Sequence, residues 1–86
     1  MVTREVIVSN PKGLHARPAT LLVRKAASFK SDIGIQYLGK KANIKSLIGI
    51  LSLGVGPNTT VNVIANGDDE KLALEEIIKL INSLEE

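Results

Sequence analysis

The sequence contains no cysteine and no tryptophan, and it has only one histidine, one phenylalanine and one tyrosine among its 86 residues. The lack of cysteine excludes disulfides, thiolate chemistry and the usual Cys/His zinc sites, and one histidine cannot build a transition-metal site alone. With two aromatics and a formal charge of +2, the chain lacks the stacking side chains and the strong basic charge of a nucleic-acid binder. We therefore expect no metal, no cofactor and no nucleic-acid partner.

Long apolar segments are also missing, and no run approaches the length that spans a bilayer. Residues 1–5 lack the apolar core of a signal peptide, and without disulfides nothing favours secretion. A length of 86 residues suits one domain with one modest core, covering residues 1–86. We expect a single-domain, cytoplasmic monomer that does not insert into membranes.

Alternation of apolar and polar residues predicts four β-strands, over residues 2–8, 33–37, 40–44 and 59–66. Helical spacing predicts two long helices, over residues 16–29 and 68–84, and the apolar run at 47–53 favours a short helix over a buried strand. Strands that alternate this regularly indicate an antiparallel sheet with one solvated face and the long helices on the other. The predicted class is α+β.

The only histidine, His15, stands where a loop becomes a helix. An imidazole is partly neutral near pH 7, so it can accept a phosphoryl group and release it again. The first amides of a helix favour a dianion, and Pro18 has no N–H, which leaves Ala16 and Arg17 as the nearest backbone donors. The Arg17 guanidinium adds charge-assisted donors. We predict His15 and Arg17 as the reactive residues and Ala16 and Arg17 as phosphate ligands.

Two alternatives remain open at this histidine. His15 fits equally well a loop or cap residue with no chemical role, because short motifs match by chance. The helix also has a second possible start, at Pro18, since the residue before a proline disfavours the helical conformation.

The helix face opposite the apolar stripe carries an apolar side chain among polar ones. Arg17, Thr20, Leu21 and Arg24 share this face, so Leu21 is expected in solvent near Arg17. Three apolar side chains of the short helix would extend this patch if they lie beside it: Leu47, Ile48 and Leu51. An apolar patch rimmed by arginine is typical of a protein docking surface.

Ser46 directly precedes the predicted short helix, in the position of an N-cap. Capping alone explains a serine at this place. A phosphate on Ser46 would also suit the helix start, while adding about two negative charges to the proposed docking surface. Both interpretations stay open.

Two motifs of the sequence resemble the HPr family of the phosphoenolpyruvate-dependent sugar phosphotransferase system. Both fall where the family has them relative to the predicted strands and helices. They are GLHARPA at residues 13–19 and KSLIG at residues 45–49, followed by Leu53 and Gly54. The similarity covers essentially the whole chain. It implies an open-faced β-sandwich, a four-stranded antiparallel sheet covered on one face by three helices. Ile48 and Gly49 resemble the Gram-positive branch of the family.

The resemblance also implies a role as a phosphocarrier, a phosphoryl-transfer intermediate rather than an independent enzyme. In the family, the histidine at the His15 position is phosphorylated on Nδ1 by phosphorylated enzyme I, and the group passes to IIA units of sugar permeases. The arginine at the Arg17 position attends the phosphate. Six residues match the family's partner-binding face: Ala16, Thr20, Arg24, Leu47, Ile48 and Leu51.

The serine at the Ser46 position has a regulatory role in many Gram-positive relatives. An ATP-dependent HPr kinase/phosphorylase modifies it, and the protein then becomes a corepressor for a catabolite-control regulator and a poorer phosphocarrier. His15 argues against the paralogue that keeps this serine and has lost the histidine. The alternative that remains is a non-catalytic regulatory binding module of the same fold, acting through Ser46 and protein partners.

Overall fold

The structure, a computed structural model, describes residues 1–85. Its elements follow the predicted order of strand, helix, strand, strand, short helix, strand and helix: β1 (Val2–Val8), α1 (Ala16–Ala27), β2 (Asp32–Tyr37), β3 (Lys40–Asn43), α2 (Leu47–Leu53), β4 (Thr59–Asn66) and α3 (Glu70–Ser83). None of these helices is long and apolar enough to cross a membrane.

The four strands form one antiparallel sheet with the order β1-β4-β2-β3. Val6 and Val8 of β1 are buried with Val61 and Val63 of β4, whereas Ile7 between the first two is exposed on the other face. Buried residues of all three helices complete the core on the first face. The sheet is thus covered on one face and open on the other, and the predicted α+β open-faced sandwich is confirmed.

The boundaries of the elements differ from the sequence prediction by a few residues. Helix α1 begins at Ala16 despite Pro18 and ends at Ala27, where the Ser28 amide donates to carbonyls of the last turn. Strand β3 ends at Asn43. Helix α3 begins only at Glu70, so the two preceding aspartates lie before its first turn and not within it.

Candidate functional site

His15 is the N-cap residue of α1, and its side chain takes no part in capping. Its backbone is extended, with φ −83° and ψ −170°, and its carbonyl accepts the first helical hydrogen bond from the Ala19 amide at 3.0 Å. The preference of the residue before proline for extended backbone does not move the helix start, because Arg17 lies inside the first turn. The imidazole is therefore not needed to cap α1.

The two ring nitrogens of His15 differ in their surroundings. Nε2 has less than 1 Å² of accessible surface, and within residues 1–85 it has no hydrogen-bond partner. The residue as a whole is only half-buried. Nε2 is therefore shielded from any group that approaches the ring from solvent.

A surface depression lies beside the ring. It is lined by Pro11, Lys12, His15, Ala16 and Arg17. Two of these five carry positive side chains and none carries a carboxylate. The start of α1 adds its own partial positive charge, since helix amides point toward the N-terminus. Charge and backbone direction both favour an anion in this depression.

The loop before His15 is tied closely to the rest of the fold. The Gly13 amide donates to the Asn10 carbonyl at 3.1 Å, and the Leu14 amide donates to the Val55 carbonyl at 3.0 Å. Gly13 has φ +64°, and a Cβ at this residue would overlap the Val55 carbonyl oxygen. Only glycine fits here, both for its conformation and for its space. This explains the glycine two residues before the histidine.

Ser46 caps α2, as its position in the sequence predicts. Its Oγ accepts a hydrogen bond from the Gly49 amide at 3.1 Å. A Cβ at Gly49 would lie 3.1 Å from this oxygen, so the glycine leaves the hydroxyl uncrowded. The residue is half-buried, and the next two side chains, Leu47 and Ile48, are exposed. Ser46 is therefore a true N-cap, and it directly precedes the exposed apolar side chains of α2.

The residues predicted to bind partners lie largely in solvent. Helices α1 and α2 pack against each other, and both expose apolar side chains: Leu21 is 42% exposed, Leu47 38%, Ile48 78% and Leu51 41%. Arg17 and Arg24 are also exposed. Thr20 is half-buried, and its hydroxyl donates to the Ala16 carbonyl at 2.8 Å, so it supports the first turn of α1.

The structure brings three of the predicted residues, His15, Ala16 and Arg17, to one depression, and it adds Lys12, which the sequence analysis did not single out. Lys12 has a visible signal in the sequence, since it is a cation three residues before the histidine. Asn10, also not singled out, does not line the depression and is buried in the loop before it. Ser46 lies apart, at the start of a different helix.

Comparisons with known proteins agree with this geometry. A family model described as the phosphorylation site of the PTS HPr component matches residues 2–83. The chain is 43% identical over 84 residues to the phosphocarrier protein HPr of Buchnera aphidicola subsp. Baizongia pistaciae, covering 98% of this chain and 99% of that one.

Two solved structures are similar over almost the same length. HPr-C-His from Thermoanaerobacter tengcongensis superposes with a TM-score of 0.93 at 43% identity, covering 96% of this chain and 93% of that chain. Crh of Bacillus subtilis, a catabolite repression protein described as a domain-swapped dimer, gives 0.78 at 44% identity, covering 95% and 94%. Because a relative is a dimer, the monomeric state of this chain stays a prediction.

Proposed function

The chain belongs to the HPr family of phosphocarrier proteins of the sugar phosphotransferase system, and on that premise we propose that His15 accepts a phosphoryl group from phosphorylated enzyme I and passes it to IIA units of sugar permeases. The observation that carries the proposal is the placement of the imidazole. His15 is the N-cap residue of α1, its side chain makes no capping bond, and it lies beside a depression that also holds Lys12 and Arg17.

The burial of Nε2 supports Nδ1 as the acceptor. Attack by Nδ1 requires the neutral tautomer that carries its proton on Nε2, in which the Nδ1 lone pair faces phosphorus. The new N–P bond forms as the bond between phosphorus and the donor breaks, and the electron pair of that bond leaves with the donor. The reverse sequence transfers the group onward. The reaction consumes no other reactant, as expected of a carrier.

Arg17 is proposed as the main side-chain ligand of the bound phosphoryl group, and Lys12 as a second cation. Both line the depression with His15. A guanidinium stays protonated and offers a planar set of donors, whereas an ammonium acts as a point charge. The Ala16 and Arg17 amides, at the helix start, add the favourable field of α1.

The exposed apolar side chains of α1 and α2 are proposed as the shared docking surface for enzyme I and the IIA units. This docking surface consists of Thr20, Leu21, Arg24, Leu47, Ile48 and Leu51. Large exposed apolar side chains with arginine beside them are characteristic of the centre of a protein interface. One surface suits both partners, because each must reach the same nitrogen of His15.

Ser46 is proposed as a regulatory phosphorylation site for an HPr kinase/phosphorylase, with the modified protein binding a catabolite-control regulator. Its place at the start of α2, next to Leu47 and Ile48, supports this role. A phosphate there would be stabilised by the helix start, as Asp or Glu is, and would introduce negative charge at the docking surface.

The experiment that tests the carrier role mixes the protein with phosphoenolpyruvate and catalytic enzyme I, followed by intact mass and phosphorus NMR. We expect one acid-labile phosphoryl group on the wild type and none on His15→Ala, with the fold of the variant unchanged by circular dichroism. Phosphoryl uptake by His15→Ala would disprove the assignment.

The same experiment separates the carrier from the alternative, a regulatory binding module that acts through Ser46. That module would take no phosphoryl group from enzyme I in either form, and His15 would be dispensable for its partner binding. The structural likeness to Crh, a catabolite repression protein, is what favours this alternative.

A further inference from the structure

Asn10 is a polar residue buried in the loop that carries the histidine. It is 2% exposed, and its Nδ2 donates to the Gly13 carbonyl at 2.7 Å. The Gly13 amide in turn donates to the Asn10 carbonyl at 3.1 Å. The two bonds close residues 10–13 into a ring of backbone and side chain, so the loop has little freedom before it reaches His15.

The closed loop is anchored at a second place. Gly13 lies against the Val55 carbonyl, and the Leu14 amide donates to the same carbonyl at 3.0 Å. Leu14 is itself buried in the core. The residue directly before His15 is thus fixed by its side chain and by its amide, and the direction of the chain at His15 follows from these contacts.

We infer that Asn10 is a positioning residue for the phosphocarrier site: its side-chain amide closes the 10–13 loop and so holds the His15 ring with Nε2 buried and Nδ1 toward the partner. The inference rests on the proposed function. Asn10 is not among the residues that line the depression beside His15, so it is proposed to act through the loop. The rate of transfer falls by as much as about a hundredfold when the reacting nitrogen moves by about 1 Å, because attack needs alignment as well as contact.

The test compares Asn10→Leu with wild type in single-turnover phosphoryl transfer from phosphorylated enzyme I. Leucine has a similar branched shape and lacks the donor, so the Gly13 carbonyl loses its partner and the variant is expected to be less stable; circular dichroism checks that it is folded before its rate is measured. Asn10→Ser retains a donor. Asn82→Leu is the matched control, since it changes the same side chain at an exposed position on α3.

We expect Asn10→Leu to lower the maximal rate about tenfold with little change in the enzyme I concentration at half-maximal rate. Asn10→Ser should recover most of the loss, and Asn82→Leu should match wild type. Nitrogen NMR of the free protein should show the His15 ring of Asn10→Leu exchanging between tautomers, a readout that a purely structural role would not change.

A folded Asn10→Leu protein with the wild-type rate and a single His15 tautomer would overturn the inference. Failure of both Asn10→Leu and Asn10→Ala to fold would also overturn it, because Asn10 would then be a general requirement of the fold. These results are distinct from failure of the proposed function, in which the wild type itself would take up no phosphoryl group.

Discussion

The helices α1 and α2 begin in different ways, although both present a candidate phosphorylation site at the N-cap. At the start of α1, the His15 side chain makes no capping bond. At the start of α2, the Ser46 hydroxyl is engaged, as the acceptor for the Gly49 amide. A group added to His15 removes no cap of α1, whereas a group added to Ser46 alters a bond that caps α2.

This difference separates chemistry from stability at the two sites. Changes at the α1 start are expected to alter phosphoryl transfer and leave folding intact. Changes at the α2 start are expected to alter folding slightly, and to alter transfer only when they add charge. The four predictions that follow test this separation, in order of decreasing effect.

Arg17→Ala should lower the rate of phosphoryl uptake by about tenfold to a hundredfold, because a hydrogen bond to a charged group contributes about 1.5–3 kcal/mol. Arg17→Lys should recover only part of this loss, since an ammonium lacks the planar fork. Single-turnover transfer from phosphorylated enzyme I measures both, with the exposed Arg4→Ala on β1 as control. A folded Arg17→Ala protein within twofold of wild type would remove Arg17 from the site.

Ser46→Asp should slow uptake about tenfold without unfolding the protein, because aspartate is itself a good N-cap and its charge acts mainly on encounter with the partner. The same kinetics at raised salt should show a smaller difference, as screening weakens the charge. Ser83→Asp, at the end of α3, is the matched control. Uptake equal to wild type would argue against regulation through Ser46.

Ser46→Ala should leave uptake unchanged and lower the free energy of unfolding by about 1 kcal/mol, the usual contribution of a serine cap. Urea unfolding followed by circular dichroism measures the change. Ser46→Gly should cost only a few tenths of that amount, about 0.3 kcal/mol. If Ser46→Ala slowed uptake as much as Ser46→Asp, the two helix starts would not be separable.

The start of α3 differs from both. Its N-cap residue, Asp69, makes no side-chain capping bond and is no candidate for phosphorylation. The Asp69 carboxylate accepts hydrogen bonds from the Lys30 amide at 3.0 Å and the Ser31 amide at 2.9 Å, and also from the Ser31 hydroxyl. These bonds, with the Ser31 hydroxyl first, lower the pKa of Asp69 from 3.8 to about 2. Its carboxylate joins α3 to the loop between α1 and β2.

Stability should therefore fall as the pH drops through this range. Between the two pKa values of Asp69 the unfolded chain binds more protons than the folded one, so its contribution is complete above about pH 4 and is lost toward pH 2. Urea unfolding from pH 2 to pH 5 should show a shallower pH dependence for Asp69→Asn than for wild type. Glu70 also has a lowered pKa, mainly through the Gly67 amide, so some dependence should remain. Identical pH profiles would contradict the assignment.

Local sequence accounts for most of the fold and for three of the five residues that line the depression, His15, Ala16 and Arg17. Alternation and helical spacing predict each element, because each buries one face. The ends were less accurate: α1 stops at Ala27 and not at residue 29, since Ser28 and Phe29 donate their amides to carbonyls of the last turn. Such terminal bonds have no strong signal in side-chain pattern.

Two contacts that the sequence analysis did not predict join residues far apart in the chain. The predicted helix over residues 68–84 contains Asp69, whereas the structure places it before the first turn of α3, bonded to residues almost forty positions earlier. The contact of the Val55 carbonyl with Gly13 likewise joins the histidine loop to the segment that follows α2. Pattern reports which face is buried, and it does not report which loop meets which.

The contact between the Val55 carbonyl and the histidine loop also sets an order of events during synthesis. Strand β1 pairs with β4 in the sheet, with Val8 opposite Thr59, and the Leu14 amide bonds to the Val55 carbonyl. Both partners are synthesised well after β1. When only the first half of the chain has left the ribosome, the histidine motif is present, but Val55, whose carbonyl binds its loop, is not. Closing so long a segment is slow compared with local helix formation. The histidine loop of the nascent protein is therefore expected to take its final conformation late, when the sheet closes.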